Sequence, residues 1–158
     1  MKSQELQLLN IEKPKGGQRV LVFDLETAPL KSAIWSARQR YTPYAMLEKD
    51  WFLMSYSAKW LGRDHIMYGD LRDSPVGCED DRKLILELYS LVSQADIVVA
   101  HNGDRFDVPS LNTRFLHHNL TPPPPFHSVD TFRVAKQNFR LPYYSIEYLT
   151  ETFLPEFY

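Results

Sequence analysis

The sequence of 158 residues contains one cysteine, no long hydrophobic run and no marked excess of either charge. With Cys78 alone, neither an intrachain disulfide nor a cluster of thiolate metal ligands can form, and a reducing, cytoplasmic location is expected. No apolar stretch approaches the roughly 20 residues of a membrane-spanning helix, so the sequence predicts a soluble protein with no membrane partner. The net charge of −2 argues against a protein that coats nucleic acid by neutralising phosphates.

The chain also lacks the G-x-x-x-x-G-K-S/T loop of P-loop nucleotide hydrolases. This absence excludes that class, although an apolar run at 19–25 leads into acidic residues as a Walker B strand does. Hydrophobic residues make up 44% of the chain and charged residues 24%, a globular composition, and the length suits one domain. Polar residues 1–18 are predicted to form an N-terminal leader before a single domain spanning 19–158.

Hydrophobic periodicity predicts alternating strands and helices. The predicted strands span 19–25, 51–61, 65–68, 96–101 and 126–129. The predicted helices span 79–94, 108–119, 131–139 and 145–153. Residues 31–49 show no clean period and are predicted as short helix and loop. Three antiparallel strands followed by strand–helix–strand crossovers predict an α/β fold, a mixed sheet with later parallel strands and flanking helices.

Three carboxylates are candidates for a metal site. Asp24 and Glu26 stand two residues apart at the end of a predicted buried strand, so both point to one side of the sheet. Their repulsion would be offset by a divalent cation with oxygen ligands, although such a pair can also simply face water. Asp107 follows a strand and a glycine-containing turn, where it can face that pair or serve as a plain helix N-cap.

Other polar residues have less specific interpretations. His101 is interpreted as a strand-end residue, because no second histidine follows at metal-ligand spacing, and His117 and His118 are predicted to be exposed. A basic and aromatic segment follows the first acidic motif. It is either a groove for single-stranded nucleic acid or core aromatics beside solvated cations. Its residues are Lys31, Trp35, Arg38, Arg40, Tyr41 and Tyr44.

Two motifs in order, FDLET (23–27) and HNGDRFD (101–107), resemble the first two motifs of the DEDD, or DnaQ-like, 3′–5′ exonuclease superfamily. The second motif is an Asn followed four and five residues later by Phe-Asp, which Asn102, Phe106 and Asp107 match. The resemblance is nearest to stand-alone exonucleases of phage and bacterial type. It implies a ribonuclease-H-like fold and two-metal hydrolysis of single-stranded 3′ ends, with DNA favoured over RNA.

The resemblance also implies roles for individual residues. Asp24, Glu26 and Asp107 become catalytic ligands of two Mg²⁺ or Mn²⁺ ions. The implied substrate-binding residues are Leu25, Thr27, Asn102 and Phe106, although Asn102 can instead brace the metal ligands and Phe106 can instead belong to the core beneath the site. Asp130 falls at the superfamily's upstream Asp-Thr position, which is interpreted as structural. Replication or recombination proteins are expected partners.

The third motif of that superfamily is a Tyr or His followed by an Asp on a late helix, and no such aspartate follows Phe153. We therefore expect the chain to be a C-terminally truncated fragment of a longer enzyme, nearly inactive by itself without the fourth carboxylate. The alternative is a divergent, non-catalytic ribonuclease-H-like module that binds nucleic acid or protein. A carboxylate-pair glycosidase is disfavoured, because it needs two carboxylates facing each other across a cleft.

Overall fold

The computed structural model describes residues 17–36, 38, 40–72, 75 and 79–157. Of the predicted leader only residues 17 and 18 are described, and Cys78 lies outside the described residues. The strands are β1 (Val20–Thr27), β2 (Lys31–Ser32), β3 (Leu47–Lys49), β4 (Leu53–Trp60), β5 (Ile66–Asp70), β6 (Ile97–Ala100) and β7 (His127–Asp130). The helices are α1 (Arg82–Gln94), α2 (Asp107–His117), α3 (Thr131–Asn138) and α4 (Ile146–Phe153), with single 3-10 turns at Tyr44–Met46 and Pro155–Phe157.

The main sheet has five strands in the order β5-β4-β1-β6-β7. Strand β4 is antiparallel to both β1 and β5, whereas β6 runs parallel to β1 and β7 runs parallel to β6. The β4–β5 hairpin reverses through Gly62, whose φ of +78° suits a glycine. The predicted mixed sheet, antiparallel first and parallel afterwards, is confirmed as a ribonuclease-H-like α/β fold.

One face of β1 builds the hydrophobic core. Leu21, Phe23 and Leu25 are buried, and the intervening Asp24 and Glu26 are exposed, as the two-residue period of a strand requires. Against the buried face pack α1 and α2, whose apolar residues recur at helical spacing. The helix residues in this core are Leu84, Ile85, Leu88, Leu91, Val92, Leu111 and Phe115.

The prediction for residues 31–49 is wrong in part. The expected helical turn is present at Tyr44–Met46, but β2 and β3 form a two-stranded antiparallel ribbon that was not predicted. Lys31 pairs with Lys49, and the Ala33 N–H donates to the Met46 carbonyl at 3.0 Å. Strands of two and three residues are too short to show a two-residue period, so backbone pairing forms them without a pattern in the sequence.

The last two helices begin at side-chain caps. The Asp130 carboxylate accepts the Arg133 N–H at 3.1 Å at the start of α3, and the Ser145 hydroxyl accepts the Tyr148 N–H at 3.3 Å at the start of α4. Both predicted helices are confirmed to within a residue at each end. In the described part of the chain, none of the helices has both the length and the apolar character that crossing a membrane requires.

Candidate active site

Asp24 and Glu26 lie near the carboxyl end of β1 with exposed side chains. Their partners across the antiparallel pair are Ser57 and Ser55, and the register then shifts between Glu26 and Thr27. The two carboxylates therefore lie on the same side of the sheet, as their spacing predicts. The irregularity at Thr27 turns the chain away from β4 immediately beyond them.

Asp107 is the first residue of α2, and its side chain is 1% exposed. The N-cap position belongs to Phe106, and Asp107 has turned into the protein interior, so the interpretation of Asp107 as a plain helix cap is wrong. Among the described residues, its Oδ1 atom finds no hydrogen-bond partner. A buried oxygen left without a partner is costly, so the fold keeps Asp107 at an energetic disadvantage.

Burial, and after it the neighbouring carboxylates of Asp24 and Asp130, raise the pKa of Asp107 to about 6, although backbone N–H groups of Asp107 and Leu25 act in the opposite direction. Asp24 and Asp107 are thus within electrostatic reach of each other, although 83 positions separate them in the sequence. Two carboxylates that repel each other and carry an unsatisfied oxygen suit a bound cation.

The predicted metal triad is assembled only in part. Asp24 and Asp107 offer hard oxygen ligands that fit one divalent cation, and the orphaned Asp107 oxygen supplies a position for it. Within the ranges that the structure describes, however, no three His, Cys, Asp or Glu side chains lie close enough together to hold a metal ion. Glu26 therefore does not complete a three-residue set with the two aspartates.

Asp130, predicted to be structural, fixes the turn that leads to Asp107. Its Oδ1 atom accepts the N–H of Asn102 at 2.9 Å as well as that of Arg133, and its Oδ2 atom accepts the N–H of Asp104 at 3.4 Å. The carboxylate is 5% exposed, and its oxygens are occupied by backbone donors. Asp130 thereby joins the end of β7 to the turn between β6 and α2.

The same turn has little freedom to adopt another shape. Asn102 has a φ of +64°, the left-handed region that asparagine tolerates better than most residues. At Gly103 an added Cβ would lie 2.5 Å from the Cβ of Ala100, a distance that real Cβ atoms do not tolerate. The residue types in the second motif are therefore explained by the geometry that carries Asp107 to its position.

His101 has a more specific role than the strand-end position assigned to it. Its Nε2 lies 2.8 Å from the Tyr144 carbonyl and its Nδ1 lies 3.0 Å from the Thr131 hydroxyl. Because a carbonyl can only accept, Nε2 carries the proton, and in the neutral ring Nδ1 accepts from Thr131. His101 therefore fastens the segment before α4 to the end of β6.

Asp24 lines a pocket of about 260 Å³ together with His101 and Thr131. A second pocket, of about 360 Å³, is lined by none of the three carboxylates but includes residues next to Glu26 and Asp107 in the chain. Its lining includes two of the predicted substrate-binding residues, Thr27 and Phe106, and the Phe106 side chain is 42% exposed. Asn102 does not line this pocket, and the Leu25 side chain is buried in the core, so only the Leu25 backbone is available to a ligand. The full lining is Thr27, Ala28, Pro29, Leu30, Trp51, Phe106, Pro109, Ser110 and Thr113.

A buried ion cluster, which the sequence did not reveal, supports the far wall of this pocket. Asp81 is 0% exposed and accepts from Arg114 at 2.7 Å to each oxygen and from His118 at 2.6 Å. Arg114 also donates to the Trp51 carbonyl at 3.2 Å, and its guanidinium lies 5.6 Å from the Trp51 ring centre. The cluster holds Trp51 in place.

The prediction that His118 is exposed is wrong, because Asp81 lies within its reach and the His118 side chain is 11% exposed. Asp81 occupies the N-cap position of α1, but its carboxylate binds Arg114 and the Leu53 N–H and does not cap the helix. Burial alone would raise the Asp81 pKa, yet these hydrogen bonds outweigh burial and lower it.

The mixed sheet, with an acidic site at the carboxyl ends of its parallel strands, defines a ribonuclease-H-like domain. A family model of the RNase H superfamily matches residues 70–156, more than half of the chain, and the protein belongs to that superfamily. The match includes the second motif and Asp107 but does not reach Asp24 or Glu26.

Among solved structures, the chain is similar to the family B DNA polymerase from the hyperthermophilic archaeon Pyrobaculum calidifontis, with a TM-score of 0.52 and 17% sequence identity. The similarity covers 78% of this chain but only 16% of the polymerase. At this identity the likeness establishes the shared fold and nothing finer. No curated protein matches the sequence.

Proposed function

We propose that this domain is a metal-dependent 3′–5′ exonuclease that hydrolyses phosphodiester bonds at single-stranded ends, with DNA favoured over RNA. The observation that carries the proposal is Asp107, which is buried beside Asp24 with one oxygen lacking a partner. A surface that only binds nucleic acid gains nothing from such a group, because it repels phosphate and weakens the fold. A site that holds a cation needs it.

Each residue near the site has a proposed part in the reaction. Mg²⁺ or Mn²⁺, when bound, supplies positive charge to the scissile phosphate and lowers the pKa of a coordinated water. Asp24 and Asp107 hold the cation, and Glu26 accepts a hydrogen bond from water on the exposed side of β1. Thr27 and Phe106 line the pocket that takes the terminal nucleotide, and the rigid turn at Asn102 keeps Asp107 in position.

The choice of DNA and of an unpaired end rests on two further observations. The structural neighbour is a DNA polymerase, an enzyme that works on DNA. The pocket of about 360 Å³ is lined by Phe106 and Trp51, and aromatic faces bind bases that are not already stacked in a duplex. We further propose replication or recombination proteins as its partners.

The test is digestion of an oligonucleotide labelled at its 5′ end, in Mg²⁺ and in EDTA. A weak descending ladder is expected in Mg²⁺ and none in EDTA, because the chain lacks the fourth carboxylate of the superfamily. Asp24→Asn and Asp107→Asn should abolish the ladder. Asp64→Asn, which changes an exposed loop aspartate, is the matched control and should leave the ladder unchanged. Immediate release of the labelled mononucleotide would show 5′–3′ polarity and refute the proposal.

A second function is favoured by a different observation. Because the described residues contain no three-residue metal group, a non-catalytic module that binds nucleic acid or protein fits the same fold. Calorimetry with Mn²⁺ separates the two functions. The nuclease should bind one ion well, with Asp24→Asn removing the heat, whereas the module should give no metal heat and still bind a single strand.

A further inference from the structure

The ribbon formed by β2, the 3-10 turn and β3 (residues 31–49) displays large aromatic side chains to solvent. Trp35 and Tyr44 are each 87% exposed, and Tyr41 is 76% exposed. Other large apolar side chains are exposed as well, such as Leu116 at 76%, but none of those described is more exposed than Trp35 and Tyr44, and with Tyr41 they bring three aromatic side chains to one ribbon. Since burying them would stabilise the domain, their exposure indicates a surface that contacts a partner with flat, apolar faces.

The same ribbon carries two lysines directed at one carboxylate. Lys31 and Lys49 pair across the strands, and both Nζ atoms bind the same Glu79 oxygen, at 3.3 Å and 2.9 Å. The lysine side chains are more than half exposed. Two ammonium groups thus converge on a single oxyanion, an arrangement that suits a phosphate as well as it suits Glu79.

The lysine pair lies at the end of the ribbon nearest the candidate active site. Lys31 directly follows Leu30, and Lys49 stands two residues before Trp51. Leu30 and Trp51 both line the pocket that Thr27 and Phe106 share, and these two residues are next to Glu26 and Asp107 in the chain. Trp35 lies at the other end of the ribbon, four residues and so up to about 13 Å beyond Lys31 in extended chain. The order along this surface is therefore pocket, paired lysines, exposed aromatics.

We propose that the ribbon binds the nucleotides that precede the 3′ end of a single strand, with Lys31 and Lys49 on a phosphodiester and Trp35 and Tyr44 stacking on unpaired bases. Glu79 occupies the lysines while no strand is bound, and the incoming phosphate replaces it. The proposal rests on the proposed function for its class of ligand. It adds a surface outside the acidic site and a residue, Glu79, that opposes binding.

The sign of the Glu79 effect makes the inference specific. Glu79 is an acidic residue at a phosphate position, so its neutralisation frees both lysines and removes a repulsive charge. Glu79→Gln should therefore bind a single strand several-fold more tightly than the unaltered protein. A structural role for Glu79, as a brace between the ribbon and the segment before α1, predicts the reverse or no change.

The experiment measures anisotropy of a fluorescent oligothymidylate over a series of salt concentrations in Ca²⁺, with the full chain and four variants. Removing both lysines (K31A with K49A) should lower the slope of log affinity against log salt by about 0.7, since both contact the same phosphodiester and each neutralised phosphate contributes about 0.7 for single strands. Trp35→Ala should weaken binding at least about fivefold without changing that slope. Lys83→Ala, which removes an exposed lysine on α1, is the control and should match the unaltered protein.

The outcomes separate this inference from the proposed function. If the oligonucleotide binds but the lysine, Trp35 and Glu79 variants match the control, the ribbon is not the binding surface, and the exonuclease proposal is untouched. If the variants behave as expected but digestion of the labelled oligonucleotide gives no ladder in Mg²⁺, the ribbon inference holds and the exonuclease proposal is wrong. Absence of binding to any single strand overturns the inference and indicates that the exposed aromatics contact a protein.

Discussion

Replacing Asp107 by asparagine should stabilise the metal-free domain at neutral pH. The side chain is buried, its Oδ1 atom lacks a partner among the described residues, and the charge of Asp24 acts on it. Asparagine has nearly the same shape and carries no charge, so it removes the penalty without leaving a cavity. A residue whose removal strengthens the fold is retained for function, in keeping with the trade-off between stability and activity.

The magnitude follows from the pKa. Burial and the neighbouring Asp24 raise the Asp107 pKa from 3.8 to about 6. Since a tenfold change in an ionisation equilibrium corresponds to about 1.4 kcal/mol, ionised Asp107 lowers the free energy of unfolding by about 3 kcal/mol at neutral pH. The expected gain in Asp107→Asn is therefore about 2–3 kcal/mol, allowing for a small loss of hydrogen bonding.

The pH dependence gives the prediction its sign. A carboxyl group whose pKa is raised on folding favours the folded state fully below pH 3.8, and that contribution is lost as the pH rises to about 6. The gain in free energy of unfolding in Asp107→Asn should therefore be absent near pH 3.8, grow between pH 4 and 6, and stay constant above pH 6. Urea denaturation in EDTA across this range measures it directly.

The control and the refuting result use the same titrations. Asp64→Asn, at an exposed loop aspartate, should change stability by less than about 0.5 kcal/mol at every pH. Adding Mn²⁺ should stabilise the unaltered protein, because a bound cation offsets the buried charge. The difference in free energy of unfolding between the unaltered protein and Asp107→Asn should therefore become smaller. If Asp107→Asn is no more stable than the unaltered protein at pH 7.5 in EDTA, the buried, unsatisfied charge does not exist as described.

Three substitutions test the framework around the site. Asp81→Asn should lower the free energy of unfolding, measured by urea denaturation, by about 3–5 kcal/mol, because it leaves Arg114 buried without its charged partner. The double variant Asp81→Leu with Arg114→Met should lose much less, and an equal loss in both would contradict this account. Gly103→Ala should lose about 1–3 kcal/mol because its Cβ meets Ala100, and unchanged stability would show that the turn can move. Asp130→Ala should lose about 2 kcal/mol and raise the hydrogen-exchange rate of the turn amides; unchanged exchange would remove its bracing role.

The strands and helices of the main sheet were predictable because their patterns are local. β1 alternates buried and exposed residues, and α1 presents apolar residues at helical spacing, so the sequence alone indicates both. The placement of Asp24 and Glu26 on one side of the sheet follows from the same two-residue period. Asp107 could be placed near them because parallel strands end at the same edge of a sheet.

The features that were missed depend on contacts between distant residues. Asp81, Arg114 and His118 form one cluster although 33 to 37 positions separate Asp81 from its partners. No local spacing reveals such a cluster, and His118 on a helix flank looks like any solvated histidine. The β2–β3 ribbon is too short for a periodic signal. The cytoplasmic location, the partner proteins and the roles of the site residues stay predictions.

Asp130 shows how the fold satisfies one of the three aspartates at the acidic end of the sheet. Asp24, Asp107 and Asp130 come from β1, from the turn after β6 and from β7, three neighbouring positions in the sheet. The Asp130 oxygens accept backbone N–H groups, which satisfies its charge and leaves little room for a metal. Of these three aspartates, Asp107 alone has a buried oxygen without a partner among the described residues, and the exposed Asp24 lies within electrostatic reach of it. The remaining ligands of a cation held between them must come from water and from the phosphate of the substrate, so metal and single strand should bind this site cooperatively.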